Sequence, residues 1–126
     1  MIYGIGTDIV SVSRIRQAFS RHGERFPQRI LSVAELIDFA GKRDQVRFLA
    51  KRFAAKEAFS KALGLGMRMP MTWRNMGVGH DARGKPIIVC NPELQAYMES
   101  VGISLGHISI TDEQDHAVAF VILERA

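Results

Sequence analysis

The sequence predicts an α+β domain in which an antiparallel sheet packs on helices. Three observations carry this. A β-branched, glycine-punctuated segment opens the chain, and four more strand-like segments fill its second half. Between them, residues 12–63 show helical spacing with capping residues at the expected places. The length of 126 residues, 47% hydrophobic and 24% charged, suits one folded domain spanning 1–126, large enough to bury a core without disulfide or metal staples.

Residues 2–9, "IYGIGTDI", read as a strand ending near Asp8. Residues 12–22, "VSRIRQAFSRH", read as a helix stopped by Gly23, with Ile15 and Phe19 on one side and Arg14 and Arg21 on another. Arg25 joins those two arginines only if the helix runs past Gly23. Residues 31–40, "LSVAELIDFA", carry Ser32 as N-cap and Glu35 at the capping-box spacing, with Gly41 closing the helix. A longer helix covers about 44–63 without Gly or Pro and ends at Gly64 and Gly66. Strands are expected at 72–80, 85–90, 106–111 and 117–124, with "DARG" (81–84) turning between the first two. Residues 91–102 read as a short helix with Asn91 as N-cap and Pro92 at its first position.

Composition narrows the function classes. A single cysteine, Cys90, excludes an internal disulfide, and there is no Cys/His cluster for structural zinc. No targeting segment and no apolar run of transmembrane length is evident, so a cytoplasmic protein without a membrane partner is expected. The net charge of +4 favours anionic partners: phosphates, nucleic acid or an acidic protein.

Two acids interrupt apolar surroundings. Asp8 sits at the end of "GIGTDIV" (4–10), and Glu57 sits among alanines and phenylalanines in "FAAKEAFSKA" (53–62). Leu49, Phe53 and Glu57 share one helical line, so Glu57 is expected to be at least partly buried and to need a partner. Lys61, one turn on, offers an ordinary intrahelical pair, and Asp8 alone reads as a turn or cap residue. Taken together, the two carboxylates suit Mg²⁺, which takes one or two protein carboxylates plus waters and substrate phosphates. Arg52, Lys56 and Lys61 would then meet phosphate oxygens. Forty-nine positions separate the acids, so spacing cannot show that they converge.

"GIGTDIV" followed by "RFLAKRFAAKEAFSKALGLG" (47–66), "GKP" (84–86) and "GHISITDEQDHAVAFVILE" (106–124) closely resembles the holo-[acyl-carrier-protein] synthase family, the bacterial 4′-phosphopantetheinyl transferases. The resemblance runs along essentially the whole chain. It implies a 4′-phosphopantetheinyl transferase-like fold and transfer of phosphopantetheine from coenzyme A to a serine hydroxyl of apo acyl carrier protein. The other product would be adenosine 3′,5′-bisphosphate, and the reaction would serve fatty acid biosynthesis. It implies Asp8 and Glu57 as Mg²⁺ ligands, and Lys61 as stabiliser of the transferred phosphate or leaving bisphosphate. Asp8, or a water held beside it, would accept the serine proton. Arg52, Lys56 and His107 become candidate coenzyme A contacts. Gly64 and Gly66 either let backbone approach the ligand or only cap the helix. Arg14 and Arg21, with Arg25 conditional, would meet the acidic carrier protein. The family also implies a homotrimer with active sites between protomers. The chain departs from the family where Leu63 and Leu65 replace the commoner Phe and Thr, which removes any hydroxyl contact there. His22, His80 and His116 have no metal spacing and read as ordinary surface residues.

Two rival readings are weighed. A basic nucleic-acid-binding domain fits the charge but lacks a binding motif and exposed interleaved aromatics. A non-catalytic coenzyme A or nucleotide binder fits "GIGTDI" only loosely, because the third glycine of a dinucleotide fingerprint is missing.

Overall fold

A computed structural model describes all 126 residues. The elements in chain order are β1 (Ile2–Ser11), α1 (Val12–His22), α2 (Arg25–Ile30), α3 (Val33–Ala40), α4 (Gln45–Leu63), β2 (Met76–His80), β3 (Pro86–Cys90), α5 (Pro92–Ser100), β4 (Ile103–Asp112) and β5 (His116–Arg125). They form an antiparallel three-stranded sheet in the order β1-β5-β4 and a separate β2–β3 hairpin.

Helix α4 is the centre of the molecule. Twelve of its 19 residues are buried, so it is a core helix. The inner sheet face that meets it is lined by Ala117, Ala119, Val121 and Leu123, all fully buried. β1 approaches α4 more closely than a side chain allows. A Cβ on Gly4 would lie 2.0 Å from the Ala62 carbonyl oxygen, and one on Gly6 would lie 1.9 Å from that of Ala58. These two glycines let the strand lie directly on the alanine face of the helix, and Asp8, two residues on, shares their side of the strand.

The predicted N-caps form: Ser32 and Glu35 make a reciprocal capping box, and Asn91 accepts from Leu94 N ahead of Pro92. Ser11, not singled out in the sequence, also caps, accepting from Arg14 N. Gly64 closes α4 at φ 84°, where its N–H bonds the Ser60 and Lys61 carbonyls, and a Cβ there would meet nothing within 4 Å. Gly64 is thus a helix cap.

Two expectations are corrected and one helix is added. β1 does not end near Asp8 but runs on to Ser11, because Thr7, Asp8, Ile9 and Val10 all keep partners on β5. Asp8 is therefore a mid-strand residue. Strand β2 begins at Met76, since Thr72 and Asn75 close a turn first, by a hydrogen bond from Asn75 N to the Thr72 carbonyl at 3.2 Å. Helix α1 stops at Gly23, and Arg25 opens α2, a short helix the sequence reading missed, which buries Pro27 and Ile30. Arg25 is thus not on the Arg14–Arg21 helix.

Candidate active site

The β1–α4 seam brings together the two acids that sequence spacing left 49 positions apart. Lys61 reaches across it, and its Nζ donates to the Thr7 carbonyl at 3.0 Å and to Asp8 Oδ1 at 3.2 Å. The Asp8 side chain is largely covered while Lys61 stays half in solvent. The intrahelical Glu57–Lys61 pair, one of the two readings of Lys61, does not form; Lys61 bridges to the strand. Glu57 is half-buried, as the apolar line through Leu49 and Phe53 predicted. Its carboxyl is pushed above the ordinary range by burial and then by the negative charge of Asp8, with Lys61 pulling the other way. Two carboxylates repelling each other at the edge of a core define a place where a cation is stabilising.

The donor set fits Mg²⁺. No group of three or more His, Cys, Asp or Glu side chains gathers anywhere in the chain, so a closed metal cage is not built. Two partly exposed carboxylates and no third match an ion that keeps several waters and takes phosphate oxygens from its substrate.

The other predicted site residues fall elsewhere. Lys56 is 0% exposed, and its ammonium donates to Glu35 Oε1 at 2.7 Å, to the Trp73 carbonyl at 2.6 Å and to the Met76 carbonyl. All three of its N–H donors are used inside the chain, so the Lys56 expected at coenzyme A is turned inward in this structure. Burial pushes its pKa below the usual lysine value, with Glu35 opposing. Arg52 is also buried, with Nε 3.2 Å from Glu35 Oε2 but out of line for a hydrogen bond. Arg52 lines a hollow of about 340 Å³ with Lys42, Arg43, Arg47, Lys51 and His80. His80, read as an ordinary surface histidine, has its pKa lowered by burial and by the cations Arg52 and Lys42. The sequence reading passed over this basic hollow, although Arg43, Arg47 and Lys51 recur every four residues.

His107 lies on the outer face of the sheet, two strands from Asp8, with Nε2 2.8 Å from Glu124 Oε2. One chain does not bring His107 to the Asp8–Glu57 seam. Around it the outer face exposes Ile5, Ile9, Leu105 and Phe120, an apolar surface on strands whose other face is core. Arg14 and Arg21 are exposed on α1, and Arg25 is exposed on α2. Cys90 is partly buried beside Met98, and burial pushes its thiol up to about 12. At pH 8 its alkylation by iodoacetamide is expected to be about a thousandfold slower than that of a free cysteine, because the thiolate is that much scarcer; a time course by intact mass checks this.

A strand acid, a helix acid and a bridging lysine have the chemistry of a phosphate-group site. The chain belongs to the 4′-phosphopantetheinyl transferase superfamily, whose sequence model matches residues 4–121. That membership makes it a phosphopantetheinyl transferase. Over its full length it is 51% identical to a holo-[acyl-carrier-protein] synthase of Thiobacillus denitrificans, covering 96% of that protein. The crystal structure of holo-[acyl-carrier-protein] synthase from Neisseria meningitidis superposes with a TM-score of 0.97 at 50% identity, covering 99% of this chain and 100% of that one. A holo-(acyl-carrier-protein) synthase from Bacillus anthracis, in complex with CoA (3′,5′-ADP), superposes with a TM-score of 0.84 at 36% identity, covering 100% of this chain and 99% of that one.

Proposed function

We propose that this protein transfers 4′-phosphopantetheine from coenzyme A to a serine hydroxyl of apo acyl carrier protein, releasing adenosine 3′,5′-bisphosphate, with Mg²⁺ held by Asp8 and Glu57. The observation that carries the site assignment is the seam itself, where Lys61 spans from α4 to Asp8 at 3.2 Å beside Glu57. When bound there, Mg²⁺ neutralises and orients the pyrophosphate. Asp8 and Glu57 present the negative charge that would hold the ion against the edge of the core. Lys61 is exposed enough to turn from Asp8 to a phosphate oxygen and meet the charge that develops on the leaving bisphosphate. The serine oxygen forms the new P–O bond as the bond to the bisphosphate breaks. The serine proton passes to Asp8 or to a water it holds.

Arg52 offers its guanidinium to the basic hollow, which suits a further phosphate of the coenzyme. The apolar outer sheet face supports a homotrimer, because a neighbour covering it would bury Ile5, Ile9, Leu105 and Phe120 and carry His107 into an intersubunit site. The reading places the reaction in the cytoplasm, in support of fatty acid biosynthesis; no helix is long and apolar enough to cross a membrane.

The test is intact-mass analysis of apo acyl carrier protein after incubation with this protein, coenzyme A and Mg²⁺, beside an EDTA control. The expected result is a metal-dependent gain of one phosphopantetheine. No gain with a folded enzyme and a competent carrier overturns the reading. Binding of coenzyme A without transfer would favour the non-catalytic binder, and salt-sensitive binding of random DNA without carrier binding would favour a nucleic-acid role.

The exposed arginines of α1 complete the proposal. Arg14→Glu with Arg21→Glu is expected to raise KM for the carrier at least tenfold while leaving KM for coenzyme A unchanged, since rim charges steer an acidic partner. Steady-state kinetics with each substrate varied in turn checks this.

A further inference from the structure

Glu35 is the most heavily engaged buried acid in the molecule, and the catalytic chemistry does not use it. Its Oε1 accepts from Ser32 N at 3.0 Å and from Lys56 Nζ at 2.7 Å. Its Oε2 accepts from Val78 N at 2.9 Å and lies 3.2 Å from Arg52 Nε. One carboxylate therefore joins the start of α3, the middle of β2 and two successive turns of α4. Lys56 extends the same junction to the carbonyls of Trp73 and Met76.

Helix α4 is buried on most sides, by Ala54, Ala55, Ala58 and Ala62 and by Phe48, Leu49, Phe59 and Leu63. Apolar contact is non-directional, so these faces alone fix the rotation of the helix less sharply than a polar contact of set geometry does. Buried polar pairs with fixed geometry are one device that sets such a register. At about 100° per residue, the Arg52–Lys56 side of α4 is centred roughly 140° from the Glu57–Lys61 side. Gripping one side of the helix therefore aims the other. A rotation of about 10° moves a side-chain end by about 1 Å, which is enough to matter for a reacting geometry.

We propose that Glu35, through Arg52 and Lys56, is a positioning residue that sets the rotation of α4 and so places Glu57 and Lys61 against Asp8. The proposal rests on the assignment of Asp8 and Glu57 to the metal.

The test compares the wild type, Asp8→Asn and the double variant Glu35→Gln with Lys56→Met, which removes one buried charge of each sign. Mn²⁺ binding to the protein without coenzyme, read by electron paramagnetic resonance, is the first readout. The second is kcat and KM for carrier-protein modification. A dissociation constant and a KM describe the folded molecules alone, and kcat is taken per folded molecule, with the folded fraction read by circular dichroism, so partial unfolding changes none of them. The expected result is Mn²⁺ affinity weakened about 10- to 100-fold in the double variant, with kcat lowered by a similar factor and KM for the carrier unchanged. Affinity and kcat within twofold of wild type in a folded double variant overturn the proposal. If the double variant does not fold, Lys56→Met alone, which keeps the Glu35–Arg52 pair, is read by the same two criteria and decides the question. If Asp8→Asn binds Mn²⁺ as well as wild type, it is the metal assignment that has failed, and the proposal falls with it.

Discussion

Asp8→Asn is expected to lower phosphopantetheine transfer about a thousandfold while leaving the protein folded. The substitution keeps the size of the side chain and removes one of two neighbouring negative charges. Lys61 retains its bond to the Thr7 carbonyl at 3.0 Å, so the seam keeps one of its ties. Burial still raises the Glu57 carboxyl, but the smaller repulsion from Asp8 is relieved, so the fold does not lose an essential contact there. On the proposed reading, what is lost is charge that would hold the cation. A second signature separates this from a general defect. EDTA should bring wild type down to the level of the variant and leave the variant's residual rate unchanged, because two lesions of one unit do not add. Single-turnover transfer by intact mass, with and without EDTA, makes the measurement. A variant rate within tenfold of wild type, still sensitive to EDTA, would mean that the cation is held elsewhere.

Gly6→Ala is expected to destabilise the fold by about 3 kcal/mol or more and to lower Tm by roughly 10 °C. The new methyl would lie 1.9 Å from the Ala58 oxygen, 2.7 Å from the Ala62 nitrogen and 3.0 Å from the Ala58 carbonyl carbon. All three are backbone atoms of α4 and cannot rotate away as a side chain can. Relief requires the strand to lift from the helix, which also pulls Asp8 from Glu57. Lost stability and lost transfer should therefore appear together. Gly41→Ala is the control, since its φ is −93° and its nearest foreign atom is 3.8 Å from the new methyl. That variant should stay within about 0.5 kcal/mol of wild type. Thermal unfolding followed by circular dichroism compares the three proteins.

Much of this architecture is written in local signals. Ser32 with Glu35, Asn91 with Pro92, and Gly64 each mark a helix end through the chemistry of one or two residues, and each cap forms as predicted. Such signals act within a turn of backbone, so they survive without knowledge of the fold. The motifs around Asp8 and Glu57 were also legible, because an acid in an apolar run raises a question about its partner. Helix α2 was not legible. Six residues with Pro27 in their first turn carry no repeating apolar pattern, and the buried faces of Pro27 and Ile30 hold the helix in place.

The sequence by itself determined most of the elements, the caps at Ser32, Asn91 and Gly64, and the two acid motifs, but neither helix α2 nor the meeting of the acids. Only the tertiary structure decided which charges meet. Lys56 and Lys61 are five residues apart on one helix and look alike as candidate phosphate ligands. Packing buries the first against Glu35 and turns the second to the seam with Asp8. Nothing local distinguishes them, because a lysine's role is set by what faces its side of the helix. Here that is a buried carboxylate on one side and a strand edge on the other.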